Sequence, residues 1–423
     1  MFFNSKFKSN SSRTDLLSVL KWAIYGLFFV VFCDFAAFAD STVRLMLDPN
    51  AESTPMVSVP DAGESEDAAP SAETLTGRLV VDYRSGTGAG FVVLEQSDGL
   101  LRTVREKEIT SFEKLDDPFK YLTLKGLAEK LQAEAGPGFK TLDGSHFLIV
   151  YNTSDAYASW CLKLFESLYG ALDKYQLRRS FALRAPELPM PVLLFSNREQ
   201  FADYAQRDMP DSTGIAAYYN RVTNRVVLYD LSEAETGRGA QRRQKPTWQQ
   251  IDEFLSRPQA AFNVATMVHE ATHQITFNRR MFLRTGPYPL WLAEGLAMFF
   301  ETPDGSASHG WSRRNSTTQP NTLRLAQLRD YLSRAPNDPI RDVIREEKFM
   351  ENLVDSYAMS WGLFYYLNSK EPKKLAEYVA LTAKKTPYAI YSPQERLADF
   401  ESVFGDDWDK FHKDFGRFLN NLR

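Results

Sequence analysis

Cysteine is nearly missing from this chain: Cys33 and Cys161 are the whole complement of 423 residues. Two thiols cannot build a disulfide framework, so stability has to come from packing, and loss of the N-terminal leader described below would leave Cys161 with no partner. Its setting, Trp160-Cys161-Leu162-Lys163-Leu164-Phe165, reads as a buried helical stretch and not as a nucleophile's pocket. Basic charge is equally short. Fifty Lys and Arg against 54 Asp and Glu give a net charge of -4, and no basic stripe stands out, which removes nucleic acid from the list of partners. Histidine is scarcest after cysteine, with five residues. What is abundant is core material: 43% of residues are hydrophobic and 13% aromatic, enough for two or three packed units.

Long apolar runs are absent too. The longest, residues 22–33, follows Lys6, Lys8, Arg13 and Lys21 and precedes Ala37-Phe38-Ala39, which together form a basic region, a short hydrophobic segment and a small-x-small cleavage site. Residues 1–39 are therefore expected to be an export signal. Twelve apolar residues span a membrane poorly, although extension through residues 35–39 would make an uncleaved anchor, the one route by which this chain would meet a membrane. Phe32 stands before Cys33 where lipid attachment needs a small residue.

Residues 40–74, rich in Ala, Ser, Pro, Asp and Glu without apolar periodicity, predict a disordered acidic linker. Short alternating runs with Gly-rich turns over 75–117 predict a small antiparallel β unit. A mixed α/β lobe is expected over 118–256: a helix at 118–135, a strand at 146–152, a helix at 156–175, a strand at 191–195, a helix at 198–207, and a hairpin pairing 215–219 with 225–229. Residues 233–247 read as loop. Residues 257–423 then predict helices almost throughout, with Pro258, Pro339 and Pro393 at starts and Gly405 at a stop. The expected fold class is α+β, with a helical C-terminal lobe.

Chemistry concentrates at His269-Glu270-Ala271-Thr272-His273. Residues four apart share one face of a helix, so both imidazoles reach one zinc ion, while Glu270, roughly 100° round, addresses the water that the ion activates. Chance alone produces H-E-x-x-H in on the order of 0.3 % of chains this poor in histidine. The bland alternative is a pair of core histidines satisfied by backbone carbonyls. Two helical histidines leave a tetrahedral ion wanting one further protein ligand from a separate element. Arg284-Thr285-Gly286-Pro287-Tyr288-Pro289 breaks the helix, and the next one carries Ala293-Glu294-Gly295 and, seven residues after Glu294 on roughly the same face, Glu301.

These two motifs resemble the gluzincin zinc peptidases of the peptidase MA clan. The resemblance implies Glu294 as third ligand, Glu270 as catalytic base, and a site between a mixed lobe and a helical one. Glu301 is the competing acid. The chain departs from the pattern at Ala293, where several relatives carry Asn, and at Met298, where the thermolysin branch has an aspartate behind its ligand, so that carboxylate must come from elsewhere or be missing. Related aminopeptidase-type enzymes place a tyrosine at a similar distance, which makes Tyr357 the candidate oxyanion donor. A helix bearing Tyr357, Trp361, Phe364 and Tyr365 also reads simply as core, and His309 in a polar loop is the alternative donor. With His146 to Ser154, Tyr229-Asp230 and the histidine motif, residues 75–423 further resemble an uncharacterised bacterial family of exported, predicted metallopeptidases, which implies the clan and fold but no substrate. Residues 216–219 are the candidate edge strand for pairing with an extended substrate, with ordinary sheet structure as the plain reading.

The function expected is that of an exported, periplasmic, cell-envelope or secreted zinc metallopeptidase acting on a peptide or protein. A peptide- or envelope-binding module that kept the fold without useful turnover is the alternative, and zinc hydrolysis of a non-peptide amide would use the same residues. Oligomeric state has no signature in this sequence.

Overall fold

The computed structural model describes residues 41–48, 73–178, 181, 183–209, 215–232, 247–257, 260–302, 320–335 and 338–422. The export signal, most of the acidic linker, the loop at 233–246, Pro258 and His309 lie outside the described residues. The architecture is α+β, as expected, with two five-stranded sheets and a helical C-terminal half.

The first sheet has the order β4-β3-β2-β1-β5, formed by β1 (Thr42–Leu47), β2 (Thr74–Asp82), β3 (Phe91–Glu95), β4 (Leu101–Arg105) and β5 (Ile109–Lys114), all antiparallel. Here the expected linker is corrected at its start. Residues 42–47 are an inner strand, because Val43 and Leu45 alternate into the core formed by Leu75, Leu79, Val92, Leu94 and Val104.

The second sheet has the order β6-β7-β8-β10-β9. Helix α1 (Leu124–Ala135), which starts six residues later than expected at its Thr123 cap, leads into β6 (Lys140–Asp143), β7 (Phe147–Tyr151) and α2 (Asp155–Arg178). Strand β8 (Met190–Phe195), α3 (Arg198–Asp208), β9 (Ala217–Asn220) and β10 (Arg225–Tyr229) complete this lobe. β7, β8 and β10 run parallel and are covered on both faces, hence their near-continuous apolar sequences. Phe147, Ile149, Val192 and Leu194 face the large core, whereas Leu148, Val150, Leu193 and Phe195 pack beneath α1 and α3. The hairpin is as expected, and β9 is an edge of the sheet.

An unexpected helix, α4 (Trp248–Leu255), precedes α5 (Ala261–Asn278) and α6 (Leu290–Phe300). There follow α7 (Thr322–Arg334), α8 (Pro339–Arg345), α9 (Leu353–Lys370), α10 (Pro372–Thr382), α11 (Pro393–Phe404) and α12 (Trp408–Asn420), with Pro339 and Pro393 opening α8 and α11 and Gly405 closing α11 as expected. Side-chain caps from Asn321, Asp338, Asn352, Ser392 and Asp407 start five of them. Among the described residues no helix is long and apolar enough to cross a membrane.

The small β unit is docked and not free. Arg284, in the loop between α5 and α6, donates to the carbonyls of Gly99, Arg221 and Val222 at 2.7, 2.7 and 2.8 Å and pairs with Glu95 at 3.3 Å. One largely buried guanidinium thus ties the β unit to the turn between β9 and β10. Truncating it would remove the donor to the Gly99 and Arg221 carbonyls, while the Val222 carbonyl keeps the Leu101 N–H at 3.0 Å.

Candidate metal centre

Helix α5 passes through the main core, with Val264, Met267, Val268, Ala271 and Ile275 fully enclosed. That burial fixes which stripe points elsewhere: His269, Glu270 and His273 face α6 and β9. Helix α6 crosses close to α9 because residue 295 is glycine. A Cβ there would come within 2.7 Å of the Phe364 Cβ and closer still to the Ser360 carbonyl oxygen, so the approach that seats Glu294 needs the missing side chain. The start of α6 has no side-chain cap of its own. Glu346 supplies one from α8, accepting from the Leu290 N–H at 2.5 Å and pairing with Arg396 at 2.9 Å. Burial pushes the Glu346 carboxyl up to about 8, against the pull of Arg396 and the helix amides.

The result is a compact donor set. His269 Nε2 and His273 Nε2 lie 3.0 Å apart, His269 Nε2 and Glu294 Oε2 3.1 Å, and His273 Nε2 and Glu294 Oε1 3.5 Å. A tetrahedral zinc with bonds of about 2.0–2.1 Å spaces its ligands roughly 3.4 Å apart, so these three atoms fit such an ion with little adjustment. Among the described residues they are the group whose donor atoms all fall within 4.8 Å. Side-chain exposures of 10%, 12% and 15% for His269, His273 and Glu294 make the site desolvated yet reachable.

Glu301, the competing acid, is on the other side of the first histidine. Its Oε1 lies 2.9 Å from His269 Nδ1, while its carboxylate accepts from Arg324 Nη2 at 3.2 and 3.4 Å and from Asn321 Nδ2 at 3.3 Å. It therefore orients the imidazole so that Nε2 faces Glu294, the carboxylate role for which Met298, wholly buried, has no atom. Ala293 is likewise a core residue. Sequence reasoning had the residue but not its side of the ring, and it had neither Arg324 nor Asn321.

Glu270 is held from above. The backbone N–H of Tyr219, on the outer rim of β9, donates to Glu270 Oε2 at 2.8 Å, and Oε1 makes no hydrogen bond among the described residues. Burial raises the Glu270 carboxyl, with His269 and His273 pulling the other way. Burial works against the carboxylate of Glu294, yet the two histidines hold it well below the usual range. For His269 burial lowers and the Glu294 and Glu301 carboxylates raise, with a net rise. Tyr357 stands 6.4 Å from His269, ring to ring, with the Arg324 guanidinium 5.9 Å from its ring. Glu294, burial and Glu270 all push its hydroxyl up, which keeps it a donor, and it has no hydrogen-bond partner among the described residues.

A family described as "Protein of unknown function (DUF1570)" matches residues 263–389. That stretch holds His269, Glu270, His273, Glu294, Glu301, Arg324 and Tyr357, and it excludes β9. No curated protein matches the chain.

Proposed function

We propose that this chain is an exported zinc-dependent peptidase, with His269, His273 and Glu294 as ligands and Glu270 as catalytic base. The observation that carries this reading is the convergence of those three donors from two helices, with a carboxylate beside them whose outward oxygen is uncommitted. Zinc, when bound, lowers the pKa of a water towards neutrality and polarises a substrate carbonyl. Glu270 does the proton work. The Tyr219 amide fixes Oε2, so Oε1 is the atom that accepts the proton of the attacking water and passes it to the leaving amine. A carboxyl raised by burial suits both transfers. Tyr357, kept protonated by the carboxylates around it, donates to the oxygen that gains charge. An extended peptide would pair with β9 along the part of its rim outside the Tyr219 N–H that Glu270 occupies.

Metal content and turnover test the proposal together. We expect one zinc per chain in both the wild type and Glu270→Gln, with peptide-library cleavage falling by about 10³-fold or more in the variant. Zinc retained by a wild type that hydrolyses no peptide would sink the reading and favour the binding-module alternative.

A further inference from the structure

Arg221, in the turn that ends β9, is set differently from the arginines around it. Arg78 and Arg284 pair with Glu95, Arg225 with Glu134, Arg279 with Asp173, Arg324 with Glu301 and Arg396 with Glu346. The Arg221 guanidinium instead lies over aromatic rings, 4.9 Å from the Tyr288 centroid and 5.8 Å from that of Phe277. Among the described residues no carboxylate is within 4.0 Å of it and it makes no hydrogen bond. Its backbone is not loose, since its carbonyl is fixed by Arg284 at 2.7 Å.

We propose that Arg221 is the anchor for a carboxylate of the substrate. Position argues for it first. Tyr219, whose amide holds Glu270, is two residues away, at most about 7 Å between Cα atoms. Phe277 is one turn beyond His273 on the same helix face, about 6 Å along the axis. Tyr288, whose ring packs 5.0 Å from Phe277, lies with it under the Arg221 guanidinium, so Arg221 sits over the helix face that carries His273 one turn earlier. The guanidinium then lies on the order of 6–10 Å from the metal ligands, and an extended peptide advances about 3.3 Å per residue. The carboxylate it meets is therefore about two or three residues from the cleaved bond.

Chemistry argues the same way. A guanidinium resting on ring faces keeps its planar fork of donors directed at whatever lies beyond them, and the matching ligand is a carboxylate held by two parallel bonds. Such a group is either the peptide's C-terminus or an Asp or Glu side chain.

The inference rests on the peptidase reading for its location, but binding without turnover tests it. The full chain carrying Glu270→Gln, with zinc added, is titrated with two pairs of otherwise identical peptides: free C-terminus against C-terminal amide, and Glu against Gln two or three residues from the centre. One pair should show about 10- to 100-fold tighter binding of the carboxylate member, and which pair does so names the source. Adding Arg221→Gln should bring that ratio close to one, and Arg221→Lys, which keeps charge without the fork, should retain part of it. Melting temperatures confirm that both variants fold. Ratios near one in both pairs, a ratio indifferent to Arg221→Gln, or no binding of any peptide would overturn the proposal. Carboxylate-dependent binding by a chain whose wild type never cleaves would refute the peptidase reading and leave Arg221's role standing.

Discussion

Glu301 offers the sharpest test of the centre, because the ligand and the orienting roles predict different losses on removal. Its carboxylate is 11% exposed and makes bonds to His269, Arg324 and Asn321, so water cannot take its place. Glu301→Gln keeps an oxygen that can face Nδ1 but loses the charge that makes His269 a stronger donor. Replacing an orienting partner of this kind weakens metal binding about 10- to 100-fold, or roughly 1.4–2.8 kcal/mol. Glu301→Ala removes the acceptor altogether and also strands Arg324, whose side chain is 14% exposed, so the metal-free protein should lose roughly 3 kcal/mol of stability as well. Glu294→Ala, by contrast, deletes one of three protein ligands and should cost far more affinity than either. Competition with a chelator of known affinity gives the metal constants, and thermal unfolding of the metal-free proteins gives the stabilities. If Glu301→Ala lost zinc as completely as Glu294→Ala, Glu301 would be a ligand and the assignment wrong; no loss at all would refute the orienting role.

Two further outcomes follow from the same geometry. His269 has a folded pKa above its ordinary value, so its contribution to metal-free stability is complete below about pH 6.5 and fades as pH rises through the folded value, while the lowered Glu294 and Glu301 contribute above about pH 4.5 and fail as pH falls. A histidine must be neutral to ligate zinc, so with the His269 pKa raised, binding near pH 7 should expel about one proton, read by titration calorimetry in buffers of different ionisation enthalpy; zero release would refute the raised His269 pKa. Gly295→Ala should lower stability by about 3 kcal/mol or more, because the Ser360 carbonyl across from it belongs to helix backbone and cannot swing aside. An unchanged melting temperature would show that α6 and α9 are not in fixed contact.

Helix boundaries in the C-terminal half were legible because their signals are local. Asp338 before Pro339, and Ser392 before Pro393 with Glu395 closing the capping box, mark starts within four residues. The same kind of signal was present and passed over at Thr247 and Gln250, where a capping box and the spacing of Trp248, Ile251 and Leu255 announce α4. β1 had no comparable warning. Its six residues adjoin an acidic stretch of low complexity, and the partners that make it a strand are β2 and β5, which begin 32 and 67 residues later. β6, four residues reading Lys-Thr-Leu-Asp, is a strand only because β7 lies beside it.

At the site the divide runs between periodicity and facing. Helical spacing alone puts His269 and His273 on one face and Glu270 beside them. It also puts Glu294 and Glu301 on one face, about 10.5 Å apart along α6. Periodicity cannot tell them apart, because an imidazole has two nitrogens on opposite sides of its ring and a carboxylate suits either. The choice is made by the seating of α6, which Gly295 lets approach α9, and by Arg324 from α7, which holds Glu301 on the Nδ1 side. The Tyr219 amide is further still from sequence, since every residue but proline offers one. It becomes a specific contact only because β9 ends the sheet with its rim turned to Glu270. On the proposed reading, an edge strand that orients Glu270 and is followed by an arginine with no carboxylate partner among the described residues would link the catalytic step to the direction in which a peptide would lie, and neither half of that link is a property of any short motif.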